Sequence, residues 1–387
     1  MRRRDFLSGS ALWGMALWRS PVFAIPHPAD VALQLRGQYS NGSNDSNDSN
    51  DSNDSKRQPD LLILIELKGG NDGLNCVVPY ADPAYYALRK NIALKRAEVL
   101  ALDERTALHP ALEPLLPVWH DRQLAIVQGV GYPQSNLSHF RSAEIWDTAS
   151  NADQYWRDGW LARALGLANR GEGLVIGSAE PGPFTCAVPP SDGLALHRFF
   201  CPAGLLPAQH AWPVTFPAGV FGDAIRFALD SLVREDRPSA DGQKRNIAAI
   251  RLTLNGFDTH QNQLVQHASL LRQFAQGLAS LRTALVGLNR WNSTLVMSSS
   301  EFGRKPQENS NYGTDHGTAS AHFVMGGAVR GGLYGAPPVF EQLDGNGNLP
   351  VSIDFRRLYT TVLDQWWQLD ASGILPQRFE PLPILRA

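Results

Sequence analysis

Five short apolar runs constrain this chain more than any other feature. LLILIEL at Leu61 to Leu67 comes first; LAIVQGV from Leu124, AIRLTL from Ala249, TLVMSS from Thr294 and FVMGG from Phe323 follow. A strand with one wet face alternates apolar and polar residues, so nearly unbroken runs belong to strands covered on both faces. Between them, ALEPLLPVW near Ala111, WLARALGLA near Trp160, the stretch from Ala224 to Val233 and LVQHASLLRQFAQGLASLRTALVGL from Leu264 carry apolar residues at helical spacing. Strands alternating with helices predict an α/β fold, with a mostly parallel central sheet and helices on both faces. Such sheets bind ligands beyond the carboxyl ends of their strands.

The remaining sequence bounds the domain and its surroundings. Of the 387 residues, 43% are hydrophobic, enough for one large core, and residues 60–387 read as a single domain. A formal net charge of -2 gives no excess of positive charge, which argues against nucleic acid and for a small-molecule or polymer-borne partner. Residues 1–24, MRRRDFLSGSALWGMALWRSPVFA, have a basic start, an apolar stretch and a cleavage point after Ala24, as export signals do. Arg3 and Arg4 followed by Asp5, Phe6 and Leu7 fit the twin-arginine pattern better than an ordinary secretory signal. That pattern implies the twin-arginine export machinery as a partner and a periplasmic or secreted location. Arg19 interrupts the apolar stretch and speaks against an uncleaved anchor, and no later run is long enough to span a membrane. Residues 25–59, with Ser-Asn-Asp repeating from Ser43 to Asp54, read as a disordered linker rather than a calcium-binding repeat. Cys76, Cys186 and Cys201 are odd in number and spaced unlike a zinc cluster, so neither a disulfide scaffold nor a cysteine metal site is expected. The stretch from Pro181 to Pro217 has no period and reads as an irregular excursion over the site.

Polar residues follow the apolar runs closely. Asp72 comes after the first, Ser138 and His139 after the second, and Asp258 and His260 after the third, with Gln261, Asn262 and Gln263 directly behind. Glu301 and Arg304 follow the fourth, and a loop then brings Asp315 and His316. Each has a bland role alone: a turn aspartate, a capping serine, a structural histidine. Together, at one edge of a parallel sheet, they predict a metal or acid-base site. Asp-x-His and Asp-His pairs flanked by glycines suit zinc or manganese.

The ordered set LLILIELKGGNDGLNCVVPY, SHF, DGWLAR, GFDTHQNQ, SEFGR, GTDHG and DFRRLY resembles the exported proteins of family DUF1501, in the alkaline phosphatase and sulfatase superfamily. The resemblance implies an alkaline-phosphatase-like fold and a divalent metal, one or two ions. It gives Asp72, Asp258, His260, Glu301, Asp315 and His316 as ligands and Ser138 as the hydroxyl nucleophile, with Ser135 competing. Many superfamily enzymes read Asp-His-Gly where this chain reads Glu301-Phe302-Gly303. The missing imidazole is then expected from His316, which requires the loop RKPQENSNYGT to fold back. Arg304 and Arg141 are candidate anion forks. The function implied is an exported metal-dependent hydrolase of phosphate or sulfate esters. A non-catalytic envelope binding or assembly protein on the same fold is the alternative, and a carboxylate-only glycosidase is a third reading, opposed by the histidines.

Overall fold

A computed structural model describes residues 61–168, 171–187, 196–199, 210–235 and 246–386. The export signal, the linker, Cys201 and much of the Pro181 to Pro217 stretch lie outside the described residues.

Strand β1 (Leu61–Lys68) is the axis of the fold. In chain order follow β2 (Val77–Val78), β3 (Leu100–Ala101), β4 (Ala107–Leu108), β5 (Leu124–Gly131), β6 (Glu172–Ile176), β7 (Leu196–Phe199), β8 (Ile247–Asn255), β9 (Thr294–Ser299), β10 (Gly303–Glu308), β11 (Thr314–Gly317), β12 (Ser320–Met325), β13 (Gly332–Tyr334) and β14 (Ile353–Asp354). The main sheet runs β13-β5-β12-β9-β1-β8-β6-β7, with β14 also on β5. β1 pairs in parallel with β8 and with β9, while β12 is antiparallel to both its neighbours, so the sheet is mostly parallel as expected. β10 and β11 form a separate hairpin at its edge.

Period-two alternation divides the core. Leu61, Ile63, Ile65 and Leu67 pack on one face against the helices Val220–Glu235 and Gln263–Gly287, through Ile225, Phe274 and Leu281. Leu62 and Leu64 face the other side, where Trp146, Trp160 and Trp366 cover them. Each fully buried leucine or isoleucine contributes about 2 kcal/mol, which requires cover on both faces. Four helical expectations fall in this frame, and one is modified. The Ala111 segment is a 3-10 turn, Pro110–Leu115, before a short helix, Leu116–His120, because Pro114 and Pro117 lack the N–H that a continuous helix needs.

Glu66 is the one charged residue in the first run. It accepts from Arg251 Nη2 at 2.7 Å and Thr253 Oγ1 at 3.1 Å, both on the neighbouring strand β8. Asp147, half-buried on the helix His139–Thr148, adds a second carboxyl to this region. Burial is the main force on it and Glu66 and Glu180 reinforce it; against the opposing charge of Arg251 they push the carboxyl from 3.8 up to about 7. The folded state thus holds this proton more tightly than the unfolded chain. Its contribution to stability is complete below 3.8 and is lost as pH rises through about 7. Denaturant unfolding at pH 5 and pH 8 is expected to show Asp147→Asn gaining on the parent protein at the higher pH. A constant difference between the two would contradict this.

Candidate metal centre

The site begins where three strand ends meet. After β1 the backbone turns through Gly69 and Gly70, with φ of 122° and 77°. A Cβ on Gly69 would lie 2.4 Å from the Asp258 nitrogen, and one on Gly70 would lie 2.3 Å from the Phe302 ring. Glycine is required at both positions by this approach. Arg304, fully buried, fastens the ends together. Its Nε donates to Gly70 O at 2.7 Å, Nη1 to Thr314 O at 2.8 Å, and Nη2 to Phe257 O at 2.9 Å and Asp258 Oδ1 at 2.8 Å, with Gly69 O also in reach of Nη2.

The β10–β11 hairpin pairs Arg304 with His316, so the loop between them does fold back. Because a carbonyl can only accept, His316 Nδ1–H donates to Leu137 O at 2.8 Å, and the neutral ring keeps a bare Nε2. That nitrogen lies 3.2 Å from Asp258 Oδ1 and 3.0 Å from His260 Nε2. His139 repeats the pattern: Nδ1–H donates to Glu301 Oε1 at 2.8 Å, and Nε2 lies 3.4 Å from Asp258 Oδ2. His260 Nε2 is 3.0 Å from Asp258 Oδ1, and its Nδ1 is 3.6 Å from Asp315. One ligand atom each from His139, Asp258 and His316 lie within 4.8 Å of one another. Phe302 forms the floor, its ring 4.9 Å from that of His139 and 4.4 Å from that of His316.

Electrostatics keep Asp258 and His316 ready for a cation. Burial raises the Asp258 carboxyl, but the hydrogen bond from Arg304, the charge of Arg304 and the neighbouring His260 ring prevail and hold it at about 2. Burial lowers His316, favouring the neutral ring. The bond to Glu301 raises His139 against the opposing effect of burial, so at this ring a cation has to displace a proton. Two imidazoles and one carboxylate, with the His260 ring against Asp258 and His316, form a donor set that suits zinc, and both grouped rings have the far nitrogen engaged, as metal-binding histidines do.

The expected site residues divide into two groups. Asp258, His260 and His316 are together, with Asp315 beside His260. Glu301 stands behind His139, its Oε1 also accepting from Gly69 N at 2.9 Å, while Oε2 is buried without a partner among the described residues. Asp72 is elsewhere in its bonding: it caps the turn Gly73–Cys76 and receives Arg89 at 2.6 and 3.0 Å. Gln263 also donates to Asp72 and accepts from Thr259 and Thr314, so this amide serves the Asp72 network and not the histidines. Arg304 has turned its donors onto backbone carbonyls and Asp258, and is no open anion fork. Arg141 is likewise occupied, by Ala152 O at 3.1 Å, Gln154 O and Glu144, with the Tyr155 ring beneath it at 3.9 Å. Ser138 is exposed at the N-cap position of the helix His139–Thr148 without making the capping bond. Ser135 donates to Tyr132 O at 2.6 Å. His139 was not among the expected ligands, although it directly follows Ser138 and opens a helix after a buried strand. Arg89 had no signal in the sequence.

The profile of a protein family of unknown function, DUF1501, matches residues 242–376, which contain Asp258 through His316. No match was found among curated proteins. Among solved structures, the C-terminal periplasmic domain of EcEptC from Escherichia coli is similar at 10% identity and a TM-score of 0.42, over 84% of this chain and 88% of that one. The lipoteichoic acid synthase LtaP from Listeria monocytogenes is similar at 11% identity and a TM-score of 0.39, over 79% and 74%. A protein in the alkaline phosphatase superfamily from Vibrio parahaemolyticus follows at 9% and 0.35, over 80% and 71%. Residue roles therefore rest on this chain's own geometry.

Arg304→Lys tests the fastening. An ammonium keeps the charge but cannot span carbonyls on three turns, so several buried acceptors lose their donor. The variant is expected to lose about 2–4 kcal/mol in denaturant unfolding; a loss below about 0.5 kcal/mol, the range of neutral surface changes, would show the contacts to be dispensable.

Proposed function

We propose that this chain is an exported hydrolase of phosphate or sulfate esters that works with one divalent metal ion, zinc or manganese. The observation that carries this reading is the convergence of His139, Asp258, His260 and His316, with the Nδ1 atoms of His139 and His316 engaged so that their Nε2 atoms face Asp258. A cation held by these four would supply Lewis acidity, polarising the ester and stabilising charge on the transferring group. The other roles fall to the chain itself. Glu301 orients His139, Arg304 keeps Asp258 ionised and in place, and Phe302 keeps water from beneath the rings. Asp315 steadies His260, and Asp72 stays with Arg89.

Ser138 is the proposed nucleophile. Its neighbours on both sides touch the cluster, Leu137 through its carbonyl and His139 through its ring, and its hydroxyl is not committed to capping. The helix that begins at His139 directs its N-terminal dipole toward an arriving anion. Residues 1–24 support export to the periplasm or beyond, by the twin-arginine pattern at Arg3 and Arg4. Among the described residues no helix is long and apolar enough to cross a membrane. The substrate class is an anionic ester, free or borne on a polymer.

The closure of Arg304 and Asp72 onto protein partners favours a second reading, a non-catalytic envelope protein that binds through the same cluster. Metal analysis and release of nitrophenol from its phosphate and sulfate esters separate the two. Purified protein is expected to carry metal and cleave one ester, and alanine at His139, Asp258 or His316 to remove the metal. Ser138→Ala is expected to keep its metal and fold while turnover falls by about a thousandfold or more. Metal with no turnover of either ester would favour the second reading; full metal content in all three alanine variants would defeat both.

A further inference from the structure

Strand β5 carries a defect that the histidine cluster does not explain. On β12, Ser320 faces Val130 and His322 faces Val127, so the two residues Gln128 and Gly129 stand opposite Ala321 alone. On the other edge of β5, pairing with β13 ends at Val127 and pairing with β14 begins at Val130. Gly129 takes φ of 68°, and a Cβ there would lie 2.1 Å from Ser352 Oγ. This is a β-bulge, and bulges re-aim side chains.

The side chain concerned is that of Gln128, 6% exposed. It lines a cavity of about 170 Å³, walled by Leu74, Val77 and Ala321 on one side and Pro337, Val339 and Leu349 on the other. Its amide makes no hydrogen bond among the described residues, and its polar atoms are open to the space rather than sealed from solvent. No charged side chain lines the space. An amide that faces the space without a protein partner among the described residues offers a ligand one donor edge and one acceptor. A cavity of about 150 Å³ lined by aliphatic residues takes benzene, so the volume admits a single six-membered ring with a short polar substituent.

We infer that this cavity is a second binding site, separate from the histidine cluster, for an uncharged flat ring carrying an amide-like edge that pairs with Gln128. Charged ligands are excluded, since nothing in the wall would balance them. The site therefore does not receive the anionic group of an ester.

Benzamide is the probe, with toluene and benzoate as comparisons, titrated into the mature full-length protein by calorimetry or ligand-observed NMR. Benzamide is expected to bind saturably, with toluene and benzoate weaker by about tenfold or more. Gln128→Leu should remove the preference for benzamide over toluene, and Val339→Trp, in the surface loop, should fill the cavity and abolish binding of both. Circular dichroism checks that each variant folds; if Gln128→Leu does not, the Val339→Trp result and the three-ligand ranking still decide. No saturable benzamide binding, equal binding of the three ligands, or binding that survives Val339→Trp would overturn the inference.

Discussion

The site depends on one buried guanidinium. Arg304 reaches the turn after β1, the turn after β8 and the start of β11 at once, and every one of those contacts is to a backbone carbonyl except that to Asp258. Strand ends in a parallel sheet leave carbonyls pointing past the sheet, and buried acceptors of that kind must be satisfied. Arginine can do this for several turns because its five donors lie in one rigid plane. Its charge is balanced by Asp258, which it also holds ionised. The arginine that looked like a substrate contact in the sequence is thus the reason the substrate-facing residues are together.

The fold was legible where burial on two faces leaves no freedom of composition. LLILIEL, LAIVQGV, AIRLTL and TLVMSS are strands because nothing else shelters so much apolar surface in so few residues, and the helices between them followed from spacing alone. The Ala111 segment shows the limit: its apolar spacing is helical, but two prolines decide the hydrogen bonding, and local chemistry overrides the pattern.

The site was legible in part, for a physical reason. Asp258, His260 and His316 could be placed because strand ends and a returning loop bring them to one edge whatever the details of packing. Asp72 follows a strand just as they do, yet its carboxylate is engaged by Arg89, 17 residues later, a pairing that no spacing rule anticipates. His139 and Glu301 show the converse. Glu301 had the right place for a ligand, but its Oε1 is spent on Gly69 N and His139, and the imidazole it holds becomes the group that faces Asp258.

This exchange explains Phe302. A histidine following Glu301 would have to share the space now filled by the phenyl ring, which lies against both His139 and His316. With imidazoles already delivered from the helix after β5 and from the hairpin, a further polar ring at position 302 would be buried with no partner left for it, since Asp258 Oδ1 already meets Arg304, His260 and His316. An apolar ring fills the same volume without that cost and keeps the floor dry, which strengthens the electrostatic hold of Asp258 on the groups around it. The departure from Asp-His-Gly is therefore coupled to the positions of His139 and His316, and the three residues form one packed unit above the glycine turn of β1.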